Sequence, residues 1–239
     1  MTPKIALFDA PSKKQTCNSM NAWRGLLALN FKNIDYETRW VEYSDIKPVL
    51  KSLFVPSHPY LPNNTNRLRL SSGVPPNNLT DGDFYHYTIP TISFNGEYVM
   101  GTRKVAAAIE AVQPLPSLHL DSPLIDRVDE AVDECMKHLG AVILAAVRYG
   151  IMLKELEEKF GGESGLQMVK EPLKRLAGFV EGRRGLFGLG NFPSYADIIV
   201  VAFLHCWTLI DSYERIVADH PALARLYEAS VEWVKRDDH

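Results

Sequence analysis

The sequence predicts an α/β layer followed by an all-helical region, and three observations carry that prediction. Short β-rich runs alternate with stretches of helical period as far as residue 112, in the order β-α-β-α-β-β-α. Asn95-Gly96 separates two β-rich runs, and this dipeptide suits the positive φ angles of a two-residue hairpin turn. The character then changes at Gln113-Pro114-Leu115-Pro116, where two prolines forbid a continuing helix and beyond which helical spacing dominates. The chain is therefore divided into a first domain, 1–112, and a second, all-helical domain, 117–239.

Each element follows from its residues. Lys4 to Asp9 is a continuous β-rich run, read as a buried strand, and Asp9-Ala10-Pro11-Ser12 ends it with turn formers. Trp23, Leu26, Leu27, Asn30 and Phe31 recur at spacings of three and four, which predicts a helix over 20–31. A second strand is expected from Asp35 to Tyr43, and a short helix over 44–53 with Ser44 as its N-cap. Thr91–Phe94 and Glu97–Val99 form the hairpin, and a helix opens at Thr102. In the second domain the spacing predicts a long helix over 122–159 and another over 164–183 bent at Pro172. A mostly apolar helix opens after Ser194, and a last one covers Pro221 to Lys235. Residues 54–86 fit none of these periods. They hold five of the chain's 15 prolines, and a stretch of this kind inside a compact domain predicts an inserted loop that is a lid, a binding loop or a disordered segment.

Composition narrows the function. The 239 residues are 46% hydrophobic and 23% charged, in the range of globular proteins. With 26 Lys plus Arg against 29 Asp plus Glu, the net charge of −3 provides no field to gather a nucleic-acid backbone, so no nucleic-acid partner is expected. The longest apolar run, Ile198 to Ile210, is interrupted by His205 and Thr208 and falls short of the ~20 residues that span a bilayer, so no membrane partner is expected. Three scattered cysteines, Cys17, Cys135 and Cys206, make no disulfide framework, and Met1 to Asp9 has no secretory pattern; a cytoplasmic location is expected. No His, Cys, Asp and Glu cluster has ligand spacing, so no metal is expected.

Three features could carry chemistry. Thr16-Cys17-Asn18-Ser19-Met20-Asn21 ends the first loop and opens the first helix, where unpaired N–H groups and the helix dipole favour an anion or thiolate. Ser19 or Asn18 could equally do no more than cap that helix. Ile89-Pro90 stands at the mouth of the hairpin, where proline's missing donor is harmless and the Ile89 backbone could pair with an extended, peptide-like ligand. Ser194-Tyr195-Ala196-Asp197 has capping-box spacing, and the structural reading is preferred there, as it is for His205 inside the same helix.

Together these features resemble the cytosolic glutathione transferases: a thioredoxin-like α/β N-terminal domain with Ile-Pro before the hairpin, then an all-α C-terminal domain. Ser19 to Arg24, Ala28 to Lys32 and Trp40 to Ile46 look more narrowly like the fungal etherase-like branch, related to bacterial β-etherases. The resemblance implies glutathione as cosubstrate, no metal, a homodimer, and a small hydrophobic second substrate. Ser19 matches the serine that donates a hydrogen bond to the glutathione sulfur, with Cys17 as an alternative reactive thiol and Asn21 and Asn18 as backup donors. Ile89 matches the residue whose backbone pairs with the cysteinyl part of glutathione, and Pro90 the family's cis-proline. Gly101 and Thr102 stand where an acidic residue and a serine normally hold the γ-glutamyl group; Thr102 can still cap the helix, whereas Gly101 offers no carboxylate. Lys47, Lys51, His58 and His86 are unranked candidates for the glycyl carboxylate. Met20, Met136, Val142 and Tyr149 are candidate lining of the substrate pocket, although such residues are more often core. Conjugation, ether cleavage and isomerisation all fit this pattern. The missing carboxylate at 101 keeps open a glutathione-independent biosynthetic enzyme of the same fold, and a non-catalytic binding or regulatory protein is a third reading.

Overall fold

The computed structural model describes residues 5–11, 16, 17, 19–53, 87–94, 96–149, 168–181, 184–209 and 213–236. The inserted stretch expected at 54–86 lies outside these residues. So do Asn18, His58, His86, Asn95 and the side chains of Val142 and Tyr149.

Four strands form one mixed sheet in the order β2-β1-β3-β4, with β1 at Ile5–Asp9, β2 at Tyr36–Trp40, β3 at Thr91–Phe94 and β4 at Glu97–Met100. β1 runs parallel to β2 in the register Ile5 to Tyr36 and antiparallel to β3 in the register Ile5 to Phe94. Parallel neighbours require a crossover, and helix α1, Met20–Phe31, supplies it. Phe94 faces Glu97 across the hairpin, the register of a two-residue loop, and Gly96 has the positive φ of 83° that such a loop demands.

The two sheet faces carry separate apolar clusters. Ile5, Leu7 and Ile92 pack beneath α1 and helix α3, Thr102–Val112, in a core that continues into the helical region. On the other face Phe8, Val41, Ile89 and Met100 meet Ile46 and Leu50 of helix α2, Ile46–Ser52. The helical region comprises α4 (Leu124–Tyr149), α5 (Lys170–Val180), α6 (Tyr195–Thr208), α7 (Tyr213–Val217), α8 (Pro221–Ala229) and a 3-10 turn (Val231–Val234). Helix α6 is buried along nearly its whole length, between α1 and α4.

Several boundaries differ from those expected. β2 ends at Trp40 rather than Tyr43, because its partner β1 ends at Asp9, whose carbonyl accepts the last ladder bond from the Val41 N–H at 2.8 Å. Asp45, not Ser44, is the N-cap of α2; the Ser44 hydroxyl donates to the Asp45 carboxylate instead of capping. Pro172 does not bend α5, because it stands in the first turn, where its missing N–H has no partner to lose. The last helix stops at Ala229: the buried Ser230 hydroxyl donates back to the Leu226 carbonyl at 2.9 Å, and the chain tightens into the 3-10 turn. Helix α4 starts at Leu124, just after Pro123, rather than at 122, and the short α7 is an element that the sequence periodicity does not predict.

Candidate active site

Three chain segments bear on the site that the resemblance implies: the start of α1, the loop before β3 and the start of α3. Ser19 is the N-cap, with extended dihedrals of −95° and 123°, and its Oγ accepts the Ala22 N–H at 3.5 Å. Only an acceptor lone pair is used in that bond, so the hydroxyl proton remains available to a ligand. α1 is pinned at its middle to the loop before β3. A Cβ on Gly25 would stand 3.3 Å from the Pro90 Cβ, so glycine allows the helix to lie against the proline. Six residues of helix place Ser19 roughly 9 Å further along the axis.

The Ile89–Pro90 peptide bond is cis, as the resemblance implied. The Pro90 carbonyl accepts the Gly101 N–H at 3.0 Å, which ties this loop to the start of α3. Among the described residues none donates to or accepts from the Ile89 backbone, while its side chain is buried in the cluster under α2.

Gly101 caps α3 with φ 94° and ψ 139°, a conformation open to glycine and strained for other residues. Thr102, expected to cap the helix, is instead its first residue, and its carbonyl accepts the Tyr195 hydroxyl at 3.1 Å. The cause lies in the backbone: the chain reaches helical dihedrals only after the excursion at Gly101. Next to it, Arg103 bonds Asp129 at 2.7 Å and Asp126 at 2.8 Å, and the buried Arg24 of α1 bonds Asp129 at 2.8 Å. These charges fasten α1 and α3 to α4 beside the γ-glutamyl position implied by the resemblance.

Cys17 is not placed as a reactive thiol. It is fully buried, and burial together with the neighbouring Asp9 carboxylate pushes its thiol well above the ordinary range, opposed by a backbone hydrogen bond from Ser19. Asn21 stands exposed in the first turn of α1. Met20 and Met136 are half-buried and pack against the main core. Lys47 and Lys51 lie exposed on α2. The site's supporting residues Asp9, Arg24, Arg103 and Asp129 were missed by sequence reasoning; acidic and basic residues without motif spacing reveal a partner only once the fold brings them together.

Away from this site, the Ser194–Asp197 capping box is present, and the Asp197 carboxylate also accepts the Gly188 N–H at 2.7 Å. His205 bonds the Tyr227 hydroxyl at 2.6 Å, and burial lowers its pKa to about 4. Among the described residues no group of three or more His, Cys, Asp or Glu could hold a metal ion, and no helix is long and apolar enough to cross a membrane.

No protein-family model matches the chain. It is similar to the glutathione S-transferase-like protein ustS of Aspergillus flavus, at 26% identity, covering 91% of this chain and 85% of that protein. Among solved structures it superposes on a glutathione transferase from Phanerochaete chrysosporium with TM-score 0.75 and 23% identity, covering 98% and 99% of the two chains. It also superposes on a glutathione S-transferase of Ceriporiopsis subvermispora in complex with glutathione, with TM-score 0.70 and 20% identity over 98% and 99%.

Proposed function

For this chain, which carries the glutathione transferase fold, we propose a glutathione-dependent enzyme in which Ser19 lowers the pKa of the bound thiol for attack on a bulky, hydrophobic or aromatic electrophile. The observation that carries the reading is the Ser19 hydroxyl, which caps α1 as an acceptor and keeps its own proton free at the positive end of the helix. Glutathione would supply the nucleophilic sulfur; the chain's residues bind it, orient it and stabilise its charge. Ile89 offers backbone N–H and C=O to the cysteinyl part, and the N-terminal N–H groups of α3 after Gly101 receive a carboxylate. A hydroxyl donating to a thiolate favours the charged form, which makes sulfur nucleophilic nearer neutral pH. Conjugation, ether cleavage and isomerisation share this first step. A cytoplasmic homodimer of the etherase-like branch is the assembly and lineage we propose.

Calorimetric titration with glutathione tests the reading: saturable binding is expected, and its absence would overturn it. Ser19→Ala should bind glutathione but lose about tenfold or more in kcat/KM, the scale of one hydrogen bond to a charged group. Gly101 favours a second reading, since neither a carboxylate nor a side chain faces the γ-glutamyl ammonium from that position. In that case the same fold acts on an apolar substrate directly, and turnover in glutathione-free buffer would select it.

A further inference from the structure

We propose that the head-group end of the site selects a carboxylate and disfavours an ammonium: the unpaired edge of the Arg24 guanidinium and the first amides of α3 receive the carboxylate of a cysteinyl thiol whose head carries no free amine. That a cysteinyl thiol lies along Ile89 rests on the function proposed above; which head group it carries is set by the charges at α3.

Arg24 is 5% exposed and commits one nitrogen to the protein: Nη1 donates to Asp129 Oδ1 at 2.8 Å. Its Nε and Nη2 are buried and have no acceptor among the described residues. These two nitrogens share one edge of the planar group, the edge whose parallel N–H bonds fit a carboxylate. A buried polar group without a partner costs free energy, so an empty two-pronged edge calls for an acceptor that the described residues do not supply.

The same aspartate brings Arg24 to the start of α3. Asp129 Oδ2 accepts from Arg103 Nε at 3.0 Å and Nη2 at 2.7 Å, so two guanidiniums flank one acid. Tyr195 closes the group, with its ring centre 6.0 Å from the Arg103 guanidinium carbon and its hydroxyl on the Thr102 carbonyl at 3.1 Å. The 11-residue α3 has no side-chain cap and no acidic residue in its first turn, which instead holds Arg103 and Lys104. Cations there oppose the helix dipole. Val105, bonded to the Gly101 carbonyl at 2.8 Å, is the first amide with an acceptor inside the helix, so the amides of Thr102, Arg103 and Lys104 add donors to the Arg24 edge.

The group thus carries three cations, Arg24, Arg103 and Lys104, against two carboxylates, Asp126 and Asp129, and arginines already hold both carboxylates. An ammonium placed here meets like charge and the positive helix end, with no free acid among these residues to pair it. A carboxylate completes the Arg24 edge.

Three thiols separate the charges of the head. Glutaryl-cysteinyl-glycine has the head carboxylate without the ammonium, glutathione has both, and N-acetyl-cysteinyl-glycine has neither. In calorimetric titrations the parent is expected to bind the glutaryl thiol about tenfold tighter than glutathione and about tenfold or more tighter than the acetyl thiol, the scale of a hydrogen-bonded charge. Arg24→Lys keeps a cation for Asp129 and removes the fork. It should bring the glutaryl thiol within about threefold of the acetyl thiol, while binding of the acetyl thiol itself shifts less than about threefold. A loss of both by the same factor would mark Arg24 as structural and overturn the proposal. So would an acetyl thiol that binds as tightly as the glutaryl one, since the Arg24 edge would then hold water only. Should Arg24→Lys fail to fold, Thr102→Asp places an acid in the first turn of α3 and is expected to put glutathione ahead of the glutaryl thiol; an unchanged order overturns the proposal. If none of the three thiols binds the parent, the proposed function falls and this selectivity with it. If glutathione binds at least as tightly as the glutaryl thiol, the function stands and the selectivity alone falls.

Discussion

Two buried residues, Asp9 and His205, oppose each other as pH changes. Burial raises the Asp9 carboxyl from its ordinary 3.8 to about 6, with the Cys17 and Ala10 hydrogen bonds holding it below a higher value. A folded-state pKa raised above the unfolded one means that the stabilisation is complete below pH 4 and is lost as pH rises through 6, by roughly 3 kcal/mol at most. Burial lowers His205 from 6.5 to about 4, so its stabilisation is complete above pH 6.5 and is lost as pH falls through 4. The two terms cancel in part between pH 4 and 6.5. Removing one exposes the other: Asp9→Asn should gain stability relative to the parent as pH rises from 4 to 8. Thermal unfolding of both proteins at the two pH values measures the difference, and a difference independent of pH would refute the assignment.

At the scale of an element, α6 is organised by one carboxylate. Its apolar residues favour burial whatever the register, so a unique starting point must come from the N-terminal turn. Asp197 supplies it, accepting the Ser194 N–H at 2.8 Å, the Ser194 hydroxyl at 2.7 Å and the Gly188 N–H at 2.7 Å. Gly188 allows the close approach, since a Cβ there would stand 2.7 Å from the Leu124 Cδ2. Asp197→Ala leaves three buried donors unpaired and is expected to cost about 3 kcal/mol, lowering Tm by roughly 6–12 °C for a chain of this size. Scanning calorimetry reads this directly; a drop under about 2 °C would show that the box contributes little. This element was legible in the sequence because cap, carboxylate and apolar run lie within a few residues of one another.

Across the whole molecule, charged contacts join segments that are far apart in sequence. Lys32, fully buried after α1, donates to the Gln113 carbonyl at 2.5 Å and the Pro116 carbonyl at 2.7 Å and pairs with Glu110, holding the chain where it leaves α3. Asn30 donates to the Trp233 and Arg236 carbonyls at 2.6 and 2.9 Å, which ties the final turn to α1. Asp129 of α4 bonds both Arg24 and Arg103, and two buried Arg24 nitrogens have no partner among the described residues. Asp129→Asn therefore strands a buried cation and is expected to cost about 2–3 kcal/mol, seen as a lower denaturation midpoint at unchanged slope. Adding Arg24→Met should restore part of that loss; a double variant as unstable as the sum of both singles would argue against the pair.

Local rules alone determined the order of strands and helices through residue 112, the α1 limits, the hairpin register and the α6 box, because each rests on residues within a turn or two of one another. The cap of α2 and the end of α8 needed the fold, since each depended on which neighbour won a hydrogen bond, and the role of Pro172 depended on where α5 begins. Ser19 was visible as a helix opener, and Ile89-Pro90 as a hairpin mouth. That the two lie along one helix flank, with Asp9 and Cys17 buried beneath and Arg24, Arg103 and Asp129 beside them, was decided by tertiary packing alone. A buried charge is recognisable only by its partner, and the partner of Arg24 lies 105 residues away.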